Sequence, residues 1–289
     1  MFLFSLVDGL WIGSSYALMA LGLSLIYGVL GILDIANAAA FTLGAYVGAT
    51  VYGHTGSVGL AVVVAAITAG SLGWIVQRVV YVPILKNGPI VVLIASIGIF
   101  IASEEGFRLI FGPYLRQFNA PIPLPAIHVA QVYLTGTQLL IIMAGLLVLI
   151  ATWFVLNKTN EGLAWRATAQ DRETAEAMGI DGMMVIGRIF FIGYALAAIA
   201  GVLVGINYDQ VYPTMGDIPA YKMLAIIVLG GLGNPLGTIG ASLLIGIVET
   251  FTASYIGLQI PRDSIAFIAL IVILLVRPQG LFARGALKV

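Results

Sequence analysis

Asp34, Glu104, Glu105, Lys222 and Glu249 are charged side chains set within or at the edge of long apolar runs. A charge at membrane depth marks an ion, proton or substrate site by default, because taking it out of water is costly. Asp34 and Asn37 stand at i and i+3 and share a face if that stretch is helical. The plainer alternative is that Asp34 caps a helix beginning at Ile35, and the two roles can coexist. Glu249, inside the run LLIGIVETFTASYI, is either a polar contact of a pore or subunit interface or a carboxylate near the outer interface, solvated or protonated. Glu104 and Glu105 would suggest acid–base work in a soluble enzyme. Adjacent helical residues point apart, however, and Arg108 follows Glu104 at i+4, so an ion pair at the outer face of the membrane is expected. Lys222 can attract a carboxylate, but its expected state is snorkelling to an interface. Trp11, Trp74, Tyr81, Tyr133, Trp153 and Tyr212, near the ends of apolar runs, read as an interfacial aromatic belt.

Several chemistries are excluded. The chain has no cysteine, hence no disulfide framework, thiolate metal site or thiol nucleophile. His54 and His128 have no second ligand at metal-binding spacing. No G-x-x-x-x-G-K-[ST] occurs, so the chain cannot itself cradle ATP phosphates. No cofactor and no nucleic-acid partner is expected.

The elements that must position these residues are membrane helices. The 289 residues are 61% hydrophobic and 9% charged, against roughly a quarter charged in soluble domains. The fold class is therefore all-α and polytopic, with about eight hydrophobic segments: 4–30, 35–52, 58–80, 89–111, 137–156, 185–206, 220–255 and 265–276. The apolar N-terminus, with no basic stretch or cleavage site, reads as the first span rather than a removed signal. The seventh segment is too long for one span and is interrupted at 230–240, where five glycines and one proline fall in eleven residues. Such a stretch does not hold a continuous helix. A half-helix over 220–229, a turn, and a longer helix from about Leu236 are expected.

Lysine and arginine mark the cytoplasmic loops. Arg78 and Lys86 mark one, Lys158, Arg166 and Arg172 a second with Arg188 beyond it, and Arg277, Arg284 and Lys288 the C-terminus. Loops 112–136 and 207–219 then face outside. With 185–206 leading out and the last span leading in, 220–255 must enter and leave from outside, as a re-entrant pair does. Tyr16-Ala17-Leu18 and Tyr194-Ala195-Leu196 head two Gly-rich spans, each followed by a break. Two pseudo-repeats with facing breaks follow, and with them a cytoplasmic N-terminus; a full crossing over 35–52 would put it outside. The breaks supply candidate lining for a translocation path: Gly28, Gly31, Asp34 and Asn37 in one, and Gly230, Gly231, Gly233, Asn234 and Gly237 in the other, with Thr238 a further polar side chain. Backbone groups freed at mid-membrane can face such a path. Close packing of small residues explains the same glycines.

The segment 162–179, GLAWRATAQDRETAEAMG, is a charged island in this apolar chain. It has no glycine or proline between Leu163 and Met178 and reads as one helix lying outside the bilayer. Such a helix offers a cytoplasmic partner a handle.

Three stretches carry a resemblance to a known family: YALMALGLSLIYGVLGILDIANAAAFTLGAYVG over 16–48, the charged island with the span that follows to AGVLVG, and IIVLGGLGNPLGTIGASLLIGIVE with the terminal RPQGLF. The chain resembles the LivH-like permeases of branched-chain amino acid ABC importers, nearly end to end. The resemblance implies one transmembrane permease domain over 1–289, multi-pass in a bacterial inner membrane with its C-terminus in the cytoplasm. It implies a second permease subunit, usually a paralogue, two cytoplasmic ATP-binding subunits and an extracytoplasmic substrate-binding protein. It implies that the cytoplasmic loop 157–183 holds a coupling helix, whose positions here are Gly162, Arg166, Asp171, Arg172, Glu173 and Gly179. The chain itself would then be no enzyme. It departs from the family at 34–38, where DIANA stands for something like NFAHG, and in the charged SEEGFR of the fourth span. Leucine-like amino acids, other amino acids, urea and short amides all fall within the looser family. A stand-alone secondary transporter or channel for small solutes is the alternative. It would need partnered intramembrane charges, and from sequence Asp34 and Glu249 show none. A respiratory or haem-bearing subunit would need more histidine.

Overall fold

The computed structural model describes residues 2–120, 127–129 and 132–255, together with 264, 267, 268, 271, 272, 275, 280 and 281. Most of the expected last span over 265–276, most of the terminal RPQGLF and the cations Arg277, Arg284 and Lys288 lie outside the described residues. The helices are α1 (Phe2–Leu30), α2 (Asn37–Thr55), α3 (Val58–Val76), α4 (Val82–Leu85), α5 (Pro89–Phe111), α6 (Gly136–Lys158), α7 (Asn160–Gln170), α8 (Arg172–Ala177), α9 (Gly182–Asn207), α10 (Asp217–Gly230) and α11 (Pro235–Tyr255). A π-helical turn, Gln77–Tyr81, joins α3 to α4. The short strands are β1 (Arg116–Gln117), β2 (Ile127–Val129), β3 (Val132–Leu134) and β4 (Gln210–Val211). β1 pairs antiparallel with β4, and β2 with β3. Among the described residues six helices are long and apolar enough to cross a membrane, so the chain is an all-α polytopic membrane protein.

Apolar composition on every side decides the layering. A helix hydrophobic all round is enclosed by others or faces lipid. α1 is enclosed, with 89% of its most apolar window buried, whereas α6, at 6%, presents its surface outward. α9 stands beside α1, and α2, α3 and α11 wrap the pair. Small residues allow the approach: a Cβ on Gly22 would collide with the Gly193 carbonyl, and one on Gly44 with the backbone of Ala198. Lipid offers no hydrophobic drive between helices, so close van der Waals packing of this kind supplies the association.

The bundle has two distinguishable ends. At one, α7 brings Trp165 against Gly28 near the end of α1, and Arg172 of α8 lies beside Leu85 of α4. At the other, β1 and β4 pair, and Trp11 meets Tyr208 edge to face. The loop cations Lys86, Lys158, Arg166 and Arg172 thus gather at the α7 end, while 112–136 and 207–219 begin together at the opposite one. Leu281 donates its amide to the Leu229 carbonyl, which places that residue at the α7 end also.

Several expectations are corrected. The N-terminus lies opposite the α7 end, because α1 crosses completely: Phe2 packs on Phe251 and Ser5 bonds Ser254, while Gly28 reaches Trp165. The charged island is two helices, broken at Asp171, rather than one. The expected segment 58–80 bends through the π turn, in which the Val82 amide reaches back five residues to the Gln77 carbonyl. The re-entrant pair is α10 and α11, separated by 231–234, so Gly237 and Gly240 lie inside α11. The break sits near the α7 end and not at mid-depth.

The close approaches give a direct test. A Cβ at Gly201 would strike the Phe41 carbonyl, whereas one at Gly98 would meet nothing within 4 Å. Gly201→Ala should lower stability in detergent by about 1–3 kcal/mol through overpacking. Gly98→Ala, in the middle of α5, should be neutral or gain up to about 1 kcal/mol from helix propensity. Parallel thermal or denaturant unfolding of the two variants checks both signs.

Candidate functional site

Helix breaks create the polar centres of this protein. α1 ends at Gly31, whose φ of +63° lets its amide turn back to the Tyr27 carbonyl at 2.8 Å. Residues 31–36 then run irregularly to α2. Their backbone is held from two sides. Ser96 of α5 accepts the Ile35 amide at 3.2 Å, and Asp34 accepts the Ala36 amide at 3.1 Å. Asp34 is fully buried. Tyr81 donates to its Oδ1 at 2.6 Å and Tyr194 to its Oδ2 at 2.8 Å. Asp34 thus satisfies an amide just ahead of a helix, as expected, but that helix, α2, starts at Asn37 rather than at Ile35, after Ala36, which offers no side-chain cap. Asp34 does not share a helical face with Asn37, because it precedes the helix. Asn37 is buried, and neither side-chain atom of its amide has a hydrogen-bond partner among the described residues. Tyr81, read from sequence as interfacial, is a buried ligand of this carboxylate.

The second break faces the first. A Cβ on Gly233 would lie 3.2 Å from the Gly28 Cα, and one on Gly28 would lie 2.9 Å from the Trp165 ring and 3.5 Å from the Gly233 carbonyl oxygen. Gly28 is thus packed by Trp165 and by Gly233, at the foot of α1. Gly231 and Gly233 turn the chain through φ values of +90° and +75°. Gly230 packs against the start of α11, where a Cβ would be 2.6 Å from Thr238 Cα. Asn234 accepts the Gly237 amide at 3.2 Å and so caps α11, while Thr238 bonds Ser24 of α1 at 2.9 Å. Of the sequence-assigned residues, Gly28, Gly230, Gly231, Gly233 and Asn234 come together here, Gly237 lies in the helix beyond, and Asp34 and Asn37 belong to the tyrosine-lined centre.

A third centre was missed from sequence. Lys222 on α10 lies 3.0 Å from Glu249 Oε1 and 3.1 Å from Oε2, with 3% and 0% of the two side chains exposed. Tyr16 of α1 completes it. Its hydroxyl accepts from Lys222 Nζ at 2.5 Å and donates to Glu249 Oε2 at 2.8 Å. Lys222 does not snorkel, and Glu249 is not at an interface. The available signal was opposite charge on two segments already expected to fold back on each other. Glu104 and Glu105 bond Arg108, each at 2.7 Å.

Within 157–183 the residues divide by task. Gly162 gives α7 its tight approach to α6, where a Cβ would collide with the Val155 carbonyl. Glu161 pairs with Arg188. Asp171 caps α8, accepting the amides of Glu173 at 3.0 Å and Thr174 at 3.2 Å and the Thr174 hydroxyl at 2.6 Å. Those donors, the Thr174 hydroxyl first, hold its carboxyl below the usual aspartate range. The cap is present above that range and is lost as pH falls through the lowered value. An aspartate three residues before a threonine, with glutamate in the first turn, was the overlooked stop-and-start signal. Gly179, at φ +87°, leads out of α8. Arg166 and Glu173 are exposed, Arg172 bonds Glu176 at 2.8 Å, and Leu163 and Met178 are apolar and exposed.

Comparison with known proteins agrees with the geometry of a membrane permease. The family described as "Branched-chain amino acid transport system / permease component" matches residues 5–276. The high-affinity branched-chain amino acid transport system permease protein LivH of Escherichia coli is 30% identical, over 98% of this chain and 96% of its own. The corresponding protein BraD of Pseudomonas aeruginosa is 31% identical over the same shares. A probable branched-chain amino acid transport permease protein LivH of Methanocaldococcus jannaschii is 26% identical over 91% of this chain and 87% of its own. No solved structure matches.

The buried ion pair predicts an asymmetry. Lys222→Met leaves a buried carboxylate without its cation and should cost about 3–5 kcal/mol, while Lys222→Met with Glu249→Gln should cost much less. Denaturant unfolding of the single and double variants measures this. Equal loss in both would mean that the pair contributes packing alone.

Proposed function

The chain belongs to the family of branched-chain amino acid transport system permease components, and from that premise we propose that it is one membrane-spanning half of an ABC importer of amino acids. A second permease, paralogous or identical, would complete the path; two ATP-binding subunits would dock on the α7–α8 end; a binding protein would deliver substrate at the β1–β4 end. That orientation puts α7 and α8 in the cytoplasm of a bacterial cell and makes the inner membrane the site of action. No Walker motif stands in the chain, so hydrolysis belongs to the docked subunits.

The observation that carries this reading is the contact of Trp165 with Gly28, against which Gly233 packs in turn. α7 and α8 offer an exposed charged surface, with Arg166 and Glu173 outward and Leu163 and Met178 as apolar points. Behind that surface, Trp165 rests on Gly28 near the end of α1. A partner pushing α7 therefore presses on the foot of α1, and through Gly28 on the turn that joins α10 to α11. Those elements also carry Lys222, Glu249 and Tyr16. Partner binding moves an equilibrium only by its differential contact with two packings, and this wedge supplies such a contact. The chain forms no covalent bond in the cycle. Its work is to exchange one packing for another.

Co-expression with candidate ATP-binding subunits tests this. Arg166→Glu with Glu173→Lys should reduce recovered ATPase at least about tenfold, corresponding to about 1.4 kcal/mol of lost contact. Unchanged recovery, or solute uptake driven by an ion gradient alone, would sink the importer reading.

A further inference from the structure

A cavity of about 200 Å³ lies between α1, α6 and α9, at the α7 end of the bundle. Leu25 of α1, Val155 of α6, and Val185, Ile192 and Leu196 of α9 give it an apolar wall. Its lining runs from Val185 to Leu196 on α9, about 16 Å of helix axis, so it is a groove rather than a compact pocket. The groove is open to the side: Val155 and Ile192 remain 40% and 45% exposed, and α6 shows its surface outward. In a bilayer that side is hydrocarbon. Glu161 and Arg188 stand at the α7 end of the groove, and Trp165 lies with them. We propose that the groove holds an acyl chain of one zwitterionic aminophospholipid, a phosphatidylethanolamine, with its phosphate on Arg188 and its ammonium on Glu161.

Shape selects the chain and charge selects the headgroup. Among the described residues that line the groove, Glu161 and Arg188 are the charged ones, one of each sign. A headgroup with one phosphate and one ammonium matches both. A net anion would set a second negative charge beside Glu161. The existing Glu161–Arg188 pair does not stand in the way. Both side chains are more than half exposed, and ion pairs so placed contribute little. A guanidinium has five N–H donors, of which Glu161 and the Met184 sulfur take one each. Donors therefore remain for a phosphate, which a guanidinium binds well. The Trp165 indole adds a second sign of a missing partner: its Nε1–H is buried and finds no acceptor among the described residues. Lipid ester and phosphate oxygens are acceptors of the kind it lacks. The same ring packs on Gly28, so an occupied groove and the foot of α1 hold α7 through one side chain. Membrane composition thereby reaches the exposed charged surface of α7 and α8.

The full chain, purified in detergent and stripped of lipid, is titrated with phosphatidylethanolamine, phosphatidylcholine or phosphatidylglycerol of identical acyl chains. Bound lipid is counted by native mass spectrometry. One phosphatidylethanolamine should bind at least about tenfold more tightly than either of the others. Phosphatidylcholine carries the same charges without N–H donors, and so separates hydrogen bonding to Glu161 from charge. Ile192→Trp, which fills the mouth of the groove, should abolish the preference, while Ile94→Trp, exposed on α5, should keep it. Glu161→Gln leaves Arg188 as a bare cation and should turn the preference toward phosphatidylglycerol. That reversal also serves if Ile192→Trp does not fold, since Glu161 is exposed and its loss is tolerated. Equal binding of the three lipids, or a preference that survives Ile192→Trp, would mean ordinary surrounding lipid and overturns the assignment. A wild-type preference for phosphatidylglycerol overturns it too, in favour of a plain anion site at Arg188 and Lys158. No partner subunit enters the experiment, so either failure leaves the importer reading untouched.

Discussion

Interrupting a helix inside a bilayer strands amides and carbonyls where no water can reach them, so each interruption must bring its own hydrogen-bond partners. Among the described residues the chain interrupts itself at 31–36 and at 231–234, and much of its architecture serves that need. Ser96 and Asp34 hold the first break; Asn234 caps the helix after the second. Satisfying Asp34 in turn requires Tyr81 and Tyr194, which fixes α9 and the end of α3 around α1. The glycines that let the backbones approach are the other half of the same solution. Where the chain cannot bond to itself, it packs until nothing else fits.

The two buried carboxylates are handled differently. Asp34 is surrounded by neutral donors, two phenols and an amide, whereas Glu249 has a full counter-charge in Lys222. Neutral donors fix a carboxylate without adding a second charge to bury. An ion pair gains more attraction but makes each member dependent on the other. Tyr16 links α1 to the latter and Tyr194 links α9 to the former, so the two central helices each contribute one phenol to one carboxylate.

What could be read from the sequence follows the range of the interactions. The break at 230–240 announced itself because glycine and proline act on their own backbone, and the ion pair of Glu104 with Arg108 because four residues of helix define their separation. The polytopic all-α class followed from composition. Tyr194 and Asp34 are 160 residues apart and Lys222 and Glu249 are 27 apart, and no local pattern joins either pair. Their contact exists only after the helices are packed. Asp171 was a local signal read wrongly, since the lack of glycine and proline was allowed to outweigh a capping side chain. The depth of the second break was also misjudged, because the residues show where a helix ends and not where that end sits in the bundle.

The π turn at Gln77–Tyr81 has a consequence for how this helix is compared with others. One surplus residue in a helical ring rotates everything after it by about 100°. Side chains of α3 and of α4 therefore obey different phases. A related chain lacking that one residue would align with little penalty and yet present a different side chain to the Asp34 position. Single-residue gaps at this point are thus changes of partner, not tolerated slack.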